Sequence, residues 1–471
     1  MPREESSEFS SSSSIQQEQI ENDNDIENYK EADLNALNQL QVDEQETQDK
    51  TYIPQAGQQD LEANPEAYDC LLKFDIDWPI LSLDFVNLYT ATPTSDPQLI
   101  FLGGSQTDGS EKPQISLFSI QNFTSYSPET DPEAELETFD VEPIFQRRVF
   151  DVKSNVTRVK SNTQFLQNRY TTGNAAVFAF WQDNGQLTFQ SQASNLKSLG
   201  CLTTTLGDFN SPQTSFLQQE RCWCGFHSQN SQKSQVFNYN NAGYGIDFHS
   251  LQSLAIAGNS DNILNAFQIQ QDGKVIQDAT NFSKFAQNSS IEDVKFAHTG
   301  QFLINAVFGA CSTSGEFQLI DPRASSAGLV FKASGVDVNV FDFDYANENL
   351  VYLGDENGVV RVFDVRNPTE AISEIKYHNG PITSLKSSPC TEGLIACSDD
   401  NGAVVFWQMD AEDDEEALIL KQQGLPKEFL FLHLGVEEPR EISWCGSHEG
   451  YLAIAEMNGI QLIRPINLVP E

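Results

Sequence analysis

A short unit recurs seven times between residues 99 and 466, and this repetition constrains the fold more than any other feature of the sequence. Each unit reads as an apolar strand, a turn that often contains Asn-Gly or Asp-Gly, and a second apolar strand. The pattern is clearest in LVYLGDENGVVRVFDVR at 350–366 and in GLIACSDDNGAVVFWQM at 393–409. Glycine accepts the positive φ that tight hairpin turns require, so each unit predicts a β-hairpin.

A further alternating stretch precedes each hairpin and adds a strand to the unit. The seven stretches are ILSLDF, NVTRVKS, YGIDFHS, IEDVKFA, VNVFDFD, PITSLKS and EISWCG. Unit ends such as Asp321, Asp364 and Trp407 lie about 40 residues apart, a spacing typical of WD repeats, although the Trp-Asp dipeptide itself is absent. Seven units of four strands predict an all-β protein, a seven-bladed WD40 β-propeller over residues 78–471, whose closure leaves few exposed strand edges.

Acidic residues are concentrated in a few segments of the chain. Lys and Arg number 27 against 68 Asp and Glu, which gives a net charge of −41. Residues 1–51 are rich in Ser, Gln, Asn and Glu, with too few apolar side chains to offset chain entropy, so they predict a disordered tail. Residues 129–142 and 410–417 carry seven and six acids without a base, and we expect both to be surface inserts.

This charge distribution narrows the class of partner. A strongly negative field repels DNA, RNA and anionic membranes and attracts cationic proteins. Concentration of the acids in inserts favours capture of a basic partner over a uniformly solubilised surface, with a simple solvated loop as the alternative. We therefore expect a basic protein client, no direct nucleic-acid binding and no membrane association.

The stretch EAYDCLLKFDIDWPILSLDF at 66–85 changes its apolar spacing midway. Its first half has three- and four-residue spacing, at Tyr68, Leu71 and Leu72. Asn64 as a cap and Pro65 at the first helical position complete the prediction of a helix over Pro65–Lys73, within a helical segment at 52–77. After Trp78-Pro79 the spacing becomes two, which predicts the first strand of the ring.

The same stretch carries a resemblance to a known family. It is similar to D-x-x-x-Y-D-x-L-x-x-x-x-x-x-W-P-x-L-S-x-D, a segment shared by the glutamate-rich WD-repeat proteins and the histone-binding WD proteins of the retinoblastoma-binding type. The matching residues are Tyr68, Asp69, Leu71, Trp78, Pro79, Leu81, Ser82 and Asp84. The resemblance runs from about Tyr52 to Leu468. Trp181 directly before its turn and the final strand Ile463–Ile466 resemble the glutamate-rich branch.

The resemblance implies a function and a location. Members of the glutamate-rich branch are chaperones without enzymatic activity or cofactor that escort a large-subunit ribosomal protein, protein three, to pre-ribosomes. A nuclear and nucleolar location with a cytoplasmic pool, and a monomeric state, are the corresponding expectations for this chain.

The resemblance also implies a binding site. In the histone-binding relatives, the matching insert and an N-terminal helix form a side groove for a basic helix. Carried over to this chain, with Leu418 or Ile419 as further candidates, the partner-binding residues are Leu71, Leu72, Phe74, Asp410, Glu412, Asp413, Asp414, Glu415 and Glu416. The alternative is that the helix only docks on the ring.

Other classes of function fit the sequence less well. The chain contains no GxSxG, HExxH, P-loop or GxGxxG motif and no CxxC pair, so we expect neither an enzyme nor a zinc site. A histone chaperone of the sister branch remains open. Asp321-Pro-Arg323 and Asp364-Val-Arg366 resemble the WDxR motif read by cullin-type ubiquitin-ligase adaptors, although a local Asp–Arg ion pair explains them equally well.

Overall fold

The computed structural model of the protein describes residues 63–86, 98–123, 143–162, 176–191, 233–270, 273–324 and 328–468. In these ranges, 28 strands form seven antiparallel four-stranded sheets, so the predicted seven-bladed β-propeller is confirmed. The predicted disordered tail at 1–51 and the acidic insert at 129–142 lie outside the described residues. Within the described ranges, neither of the two α-helices has the length or apolar character needed to span a membrane.

Strand β1 (Tyr68–Asp75) precedes the first blade in the chain. Blade 1 contains β2 (Ile80–Phe85), β3 (Gln98–Ser105), β4 (Gln114–Gln121) and β5 (Ile144–Asp151). Blade 2 contains β6 (Val156–Ser161), β7 (Ala176–Gln182), β8 (Gln186–Ser191) and β9 (Lys233–Asn238). Blade 3 contains β10 (Gly243–Phe248), β11 (Leu254–Asn259), β12 (Leu264–Ile269) and β13 (Val275–Gln277).

Blade 4 contains β14 (Ile291–Phe296), β15 (Phe308–Ser312), β16 (Glu316–Ile320) and β17 (Leu329–Lys332), with the short helix α1 (Gly300–Ile304) before β15. Blade 5 contains β18 (Val338–Phe343), β19 (Leu350–Asp355), β20 (Val359–Asp364) and β21 (Ser373–Lys376). Blade 6 contains β22 (Ile382–Ser387), β23 (Leu394–Asp399), β24 (Val404–Gln408) and β25 (Phe429–His433), with helix α2 (Glu415–Gln422) before β25.

Blade 7 is built from both ends of the chain. Its strands lie in the order β26 (Glu441–Trp444), β27 (Leu452–Glu456), β28 (Gly459–Pro465) and then β1. Strand β1 pairs with β28 from Tyr68 opposite Pro465 to Asp75 opposite Gly459. The N-terminal strand therefore covers the edge of β28 and closes the ring.

The helix predicted over Pro65–Lys73 is wrong beyond its first turn. Pro65–Ala67 form one 3-10 turn, and Asn64 caps it by accepting from the Glu66 amide at 3.2 Å. From Tyr68 onward the chain is a strand with Cys70 and Leu72 buried. Leu71 next to Leu72 gives the segment apparent helical spacing, but the open edge of β28 offers seven paired positions that a helix could not use.

The core lies between neighbouring blades and is dominated by aromatic side chains. Trp181 of blade 2 is an example, since it is fully buried and donates from its indole nitrogen to the Gly245 carbonyl at 3.0 Å. A Cβ atom at Gly243 would lie 2.2 Å from this ring, so the absence of a side chain allows the two blades to meet.

The fifth residue of each inner strand forms a ring of charges around the axis. In blade order these residues are Asp84, Lys160, Asp247, Lys295, Asp342, Lys386 and Ser443. Each aspartate accepts a backbone N–H of the next inner strand, as Asp84 does from Ser161 at 2.8 Å. Ser443 accepts from the Phe85 amide at 3.1 Å in the same way. The ring thus satisfies edge N–H groups of the inner strands that would otherwise lack partners.

Glu441 connects three blades below this ring. Its buried carboxylate lies 2.8 Å from Arg158 Nη1 and 3.1 Å from Lys386 Nζ, and it accepts from Ser82 Oγ at 2.7 Å. Burial alone would raise the pKa of Glu441, but the two cations and the hydroxyl outweigh burial and hold the pKa well below its usual value.

A buried hydrogen-bond chain ties β1 to blades 6 and 7. The Tyr68 hydroxyl lies 2.7 Å from His433 Nδ1, and His433 Nε2 lies 3.1 Å from Gln461 Oε1. Because the amide oxygen of Gln461 can only accept, His433 donates from Nε2 and accepts the Tyr68 proton at Nδ1. This arrangement needs a neutral imidazole, and burial lowers the pKa of His433 to about 4.

We predict that Glu441→Gln lowers the free energy of unfolding by about 3–5 kcal/mol, because Arg158 and Lys386 would be left buried without their shared counter-ion. Urea denaturation of the two proteins measures the difference. Glu449→Gln, an exposed change of the same type in the same blade, serves as the control and should cost less than about 1 kcal/mol. Equal losses in the two variants would contradict a structural role for Glu441.

We also predict that His433 makes the protein less stable as the pH falls. The unfolded chain gains a proton on this residue near pH 6.5, whereas the folded chain does so only near pH 4. The contribution is therefore complete above pH 6.5 and is lost progressively down to about pH 4, by about 2 kcal/mol between pH 7 and pH 5. Denaturation curves at both pH values should show a smaller change for His433→Gln; an unchanged pH dependence would disprove the assignment.

Candidate functional site

The acidic insert at 410–417 lies in the connection between β24 and β25 of blade 6. It was predicted as a loop, but only its first part is one, because α2 begins at Glu415. Asp414 caps this helix by accepting from the Ala417 amide at 2.9 Å. Acidic residues at a helix N-terminus interact favourably with the helix dipole, and the following Ala-Leu-Ile-Leu-Lys run has high helix propensity.

The acids of this insert face solvent. Exposed side chains are those of Asp410, Glu412, Asp413, Asp414 and Glu415, and the side chain of Glu416 lies outside the description. The Asp413 side chain is 88% exposed, and one cation, Lys427, lies 3.1 Å from its carboxylate. The insert therefore presents more negative charge than its nearby cation neutralises.

Helix α2 adds an apolar edge to the acidic end. Leu418 is 59% exposed and Ile419 is 45% exposed, whereas Ala417 and Leu425 are buried. The helix thus packs through its small residue and leaves two large aliphatic side chains in water. Carboxylates followed by exposed aliphatic groups suit the face of an amphipathic basic segment.

The N-terminal residues predicted to form the groove lie differently. Leu72 is buried in the core of blade 7, and Phe74 stacks on Phe145 of blade 1 with ring centroids 4.2 Å apart. Leu71 is half-buried and packs against the cluster that also contains Tyr68. The structure therefore does not bring Leu72 to the surface, and a groove walled by an N-terminal helix does not form in residues 63–77.

What meets near the insert is a seam between two outer strands. The Tyr68 ring of β1 contacts Phe431 of β25 edge-on, with centroids 5.3 Å apart. Asn467 donates to the Leu430 carbonyl at 3.0 Å across the same seam. Since β25 directly follows the insert in the chain, the insert emerges beside this junction of blades 6 and 7.

The other residues of the opening motif make structural contacts. Asp69 pairs with Arg464 at 2.7 Å across β1 and β28, and Trp78 donates to Glu111 at 2.8 Å. The Pro79 carbonyl accepts from the Gln106 amide at 3.0 Å. These contacts hold the junction between blades 7 and 1, which agrees with the structural role expected for the motif.

The two Asp-x-Arg sequences form local ion pairs. Arg366 donates from Nε to Asp364 Oδ1 at 2.9 Å, and Arg323 donates from Nη2 to Asp321 Oδ2 at 2.7 Å. Hydrogen bonding to Arg366 lowers the pKa of Asp364. Each arginine is more than half exposed but directs its charge at its own neighbour, as the ion-pair interpretation predicted.

The sequence analysis missed a cavity of about 320 Å³ at one end of the channel. It is lined by the six charged residues of the ring, together with groups from the turns that follow the inner strands, among them His298 and Tyr345. The alternation Asp, Lys, Asp, Lys, Asp, Lys is visible in the seven aligned stretches, and it would have indicated this site.

Comparison with known proteins agrees with this architecture. Residues 58–124 match the model of the family described as the histone-binding protein RBBP4 or a component of the CAF1 complex. The chain is 23% identical to the ribosome assembly protein rrb1 of Schizosaccharomyces pombe, over 93% of this chain and 90% of that protein.

Two further relatives cover most of the chain. It is 23% identical to the protein HEAT STRESS TOLERANT DWD 1 of Arabidopsis thaliana, over 87% of this chain and 89% of that protein. It is 20% identical to the histone acetyltransferase type B subunit 2 of Candida glabrata, over 79% and 78%. Together with the seven-bladed ring, these matches identify the chain as a WD-repeat propeller protein of the group that contains rrb1 and the RBBP4-type histone-binding proteins.

Proposed function

We propose that this protein is a non-enzymatic chaperone that holds a basic protein client during ribosome assembly. The observation that carries the proposal is the α2 insert, where exposed carboxylates are followed by exposed Leu418 and Ile419. The similarity to a protein named for ribosome assembly, over nearly the whole of both chains, supports the same function. The corresponding location is the nucleus and nucleolus, with a cytoplasmic pool.

The mechanism follows from the strength of exposed ion pairs. Each is worth roughly 0–1 kcal/mol, so one contact holds nothing, but several together give a fast, salt-sensitive association. A ribosomal protein made for binding RNA carries basic extensions that would otherwise associate with any polyanion. The insert would replace phosphate until handover, and Leu418 with Ile419 would add contact with the apolar side of the client.

We propose a large-subunit ribosomal protein, protein three, as the client, bound by one copy of this chain. A core histone is the second candidate, favoured by the family match over residues 58–124 and by the relative named as a histone acetyltransferase subunit. Mass spectrometry of the basic protein that co-purifies at the highest salt separates the two. Recovery of histones without the ribosomal protein would overturn the first assignment.

We predict that removing four charges from the insert weakens client binding. The variant combines Asp413→Asn, Asp414→Asn, Glu415→Gln and Glu416→Gln; asparagine at 414 keeps a helix cap. The dissociation constant for the purified ribosomal protein should rise about tenfold near physiological salt, and its salt dependence should become shallower. Calorimetric titration at two salt concentrations measures both effects.

The matched control removes four acids from turns on the opposite face of the ring. It combines Asp108→Asn, Asp183→Asn, Asp261→Asn and Glu356→Gln, all between the second and third strands of their blades. Net charge changes equally in the two variants, so equal weakening would show that only the overall field matters. Unchanged binding in the insert variant would exclude the insert as the binding surface.

We predict a separate apolar contribution from α2. Leu418→Ser with Ile419→Ser should leave the thermal midpoint nearly unchanged, because both side chains are exposed, yet raise the dissociation constant about tenfold. Ile372→Ser, a change at a 62% exposed residue in blade 5, should not affect binding. Binding equal to that of the unmodified protein in the double variant would limit the insert to electrostatic capture.

A further inference from the structure

The cavity at the end of the channel contains more ionisable groups than packing of the blades requires. Three aspartates and three lysines of the inner-strand ring line it, beside His298, Tyr345 and Trp444. Its volume of about 320 Å³ is at the lower end of the roughly 300–1,000 Å³ typical of small-ligand sites. The charges can therefore be matched with one another to find which of them lacks a partner.

Each of the three lysines already has a carboxylate. Lys160 pairs with Asp84 of blade 1, at 2.5 Å. Lys295 lies 3.5 Å from Asp342 and 3.4 Å from Asp293, and it also donates to the Phe341 carbonyl. Lys386 pairs with Glu441 of blade 7, at 3.1 Å.

Asp247 is the carboxylate that remains without a cation. It stands between Lys160 and Lys295 in the ring, and both lysines pair with the blade on their other side. Asp247 Oδ2 accepts from the Phe296 amide at 2.8 Å, but no ion pair within 4 Å joins Asp247 to another described residue. His298, also on the wall, bonds to Asp342 at 2.9 Å instead.

Leaving this carboxylate unpaired is costly. The residue is 9% exposed, and burial raises the pKa of Asp247 even though Lys160 and His298 act in the opposite direction. A buried carboxylate of this kind is normally paired with a cation or hydrogen-bonded on both oxygens. Asparagine at 247 could still accept from Phe296, so the structural hydrogen bond alone does not explain a charged residue here.

We propose that the cavity binds one lysine or arginine side chain of a protein partner, with the cationic group on Asp247 Oδ1. The walls suit such a side chain, because Phe248, Phe296 and Trp444 offer apolar contact to its aliphatic stem. At the rim, Tyr345 stacks on His298 with centroids 4.0 Å apart and is 36% exposed, so an aromatic face is also present.

The position of the cavity connects it with the acidic insert. It is lined by the last residues of the inner strands and the turns that follow them, so it opens on the face where first and second strands of each blade connect. In an antiparallel four-stranded blade, the connection between third and fourth strands lies on the same face, and the insert is this connection in blade 6. One basic client could contact both; this link rests on the proposed function, whereas the cation site does not.

The test uses the full chain and small probes that cannot bridge to the insert. N-acetyl-arginine amide and N-acetyl-lysine amide are titrated by ligand-observed NMR at physiological salt, with N-acetyl-norleucine amide as the uncharged probe. At least one cationic probe should bind saturably to the unmodified protein, and at least tenfold more weakly to Asp247→Asn. Comparison of the two probes shows which cation the site prefers.

Two further variants make the result specific. Asp261→Asn removes the same charge from the same blade on the opposite face and should bind the probes normally. Ser250→Arg keeps Asp247 but places a competing cation in the turn beside it, and should abolish probe binding.

Equal binding to Asp247→Asn, or equal binding of the norleucine probe, would overturn the proposal, as would no binding of either cation. None of these results bears on capture of a client by the insert.

Discussion

The pairing of β1 with β28 joins the two ends of the chain and is the contact on which the closed ring depends. A propeller whose last blade has three strands leaves one open edge, and open edges invite pairing with other chains. Tyr68 reaches His433, 365 residues further along the chain, and Asp69 reaches Arg464 across 395 residues. Such distant contacts make closure a late event in folding. Because His433 and Glu441 are buried next to this junction, their ionisation states affect the whole ring.

The acids of this protein fall into two groups with different physical roles. Buried carboxylates such as Asp84, Asp342 and Glu441 are matched by lysine, arginine or backbone N–H groups, and they hold neighbouring blades together. The exposed acids of the 410–417 insert have one nearby cation among the described residues, Lys427. Net charge alone does not distinguish the groups. Only the unmatched acids can attract a client, and Asp247 belongs with them because both of its neighbouring lysines pair elsewhere.

The insert and the channel cavity open on the same face of the ring, which suggests how one client could be held without a deep groove. Many weak contacts at the insert give rapid capture and release. A single side chain in a confined, charged cavity would add register to that capture, since a buried charge pair has a stricter geometry than a solvated one. The two sites therefore divide speed from specificity between an exposed surface and an enclosed one.

Local patterns in the sequence determined the hairpins, their sevenfold recurrence and the acidic character of the insert, because turn chemistry and alternation act over a few residues. The tertiary structure decided the rest. Tyr68–Asp75 is a strand, since an edge nearly 400 residues away needed a partner, whereas local spacing alone favoured a helix. Helix α2 is short, and its capping by Asp414 becomes visible only in the folded insert. The ring of Asp and Lys is readable in the aligned stretches, but which aspartate remains unpaired depends on the direction each lysine takes between blades, and only packing around the axis fixes that direction.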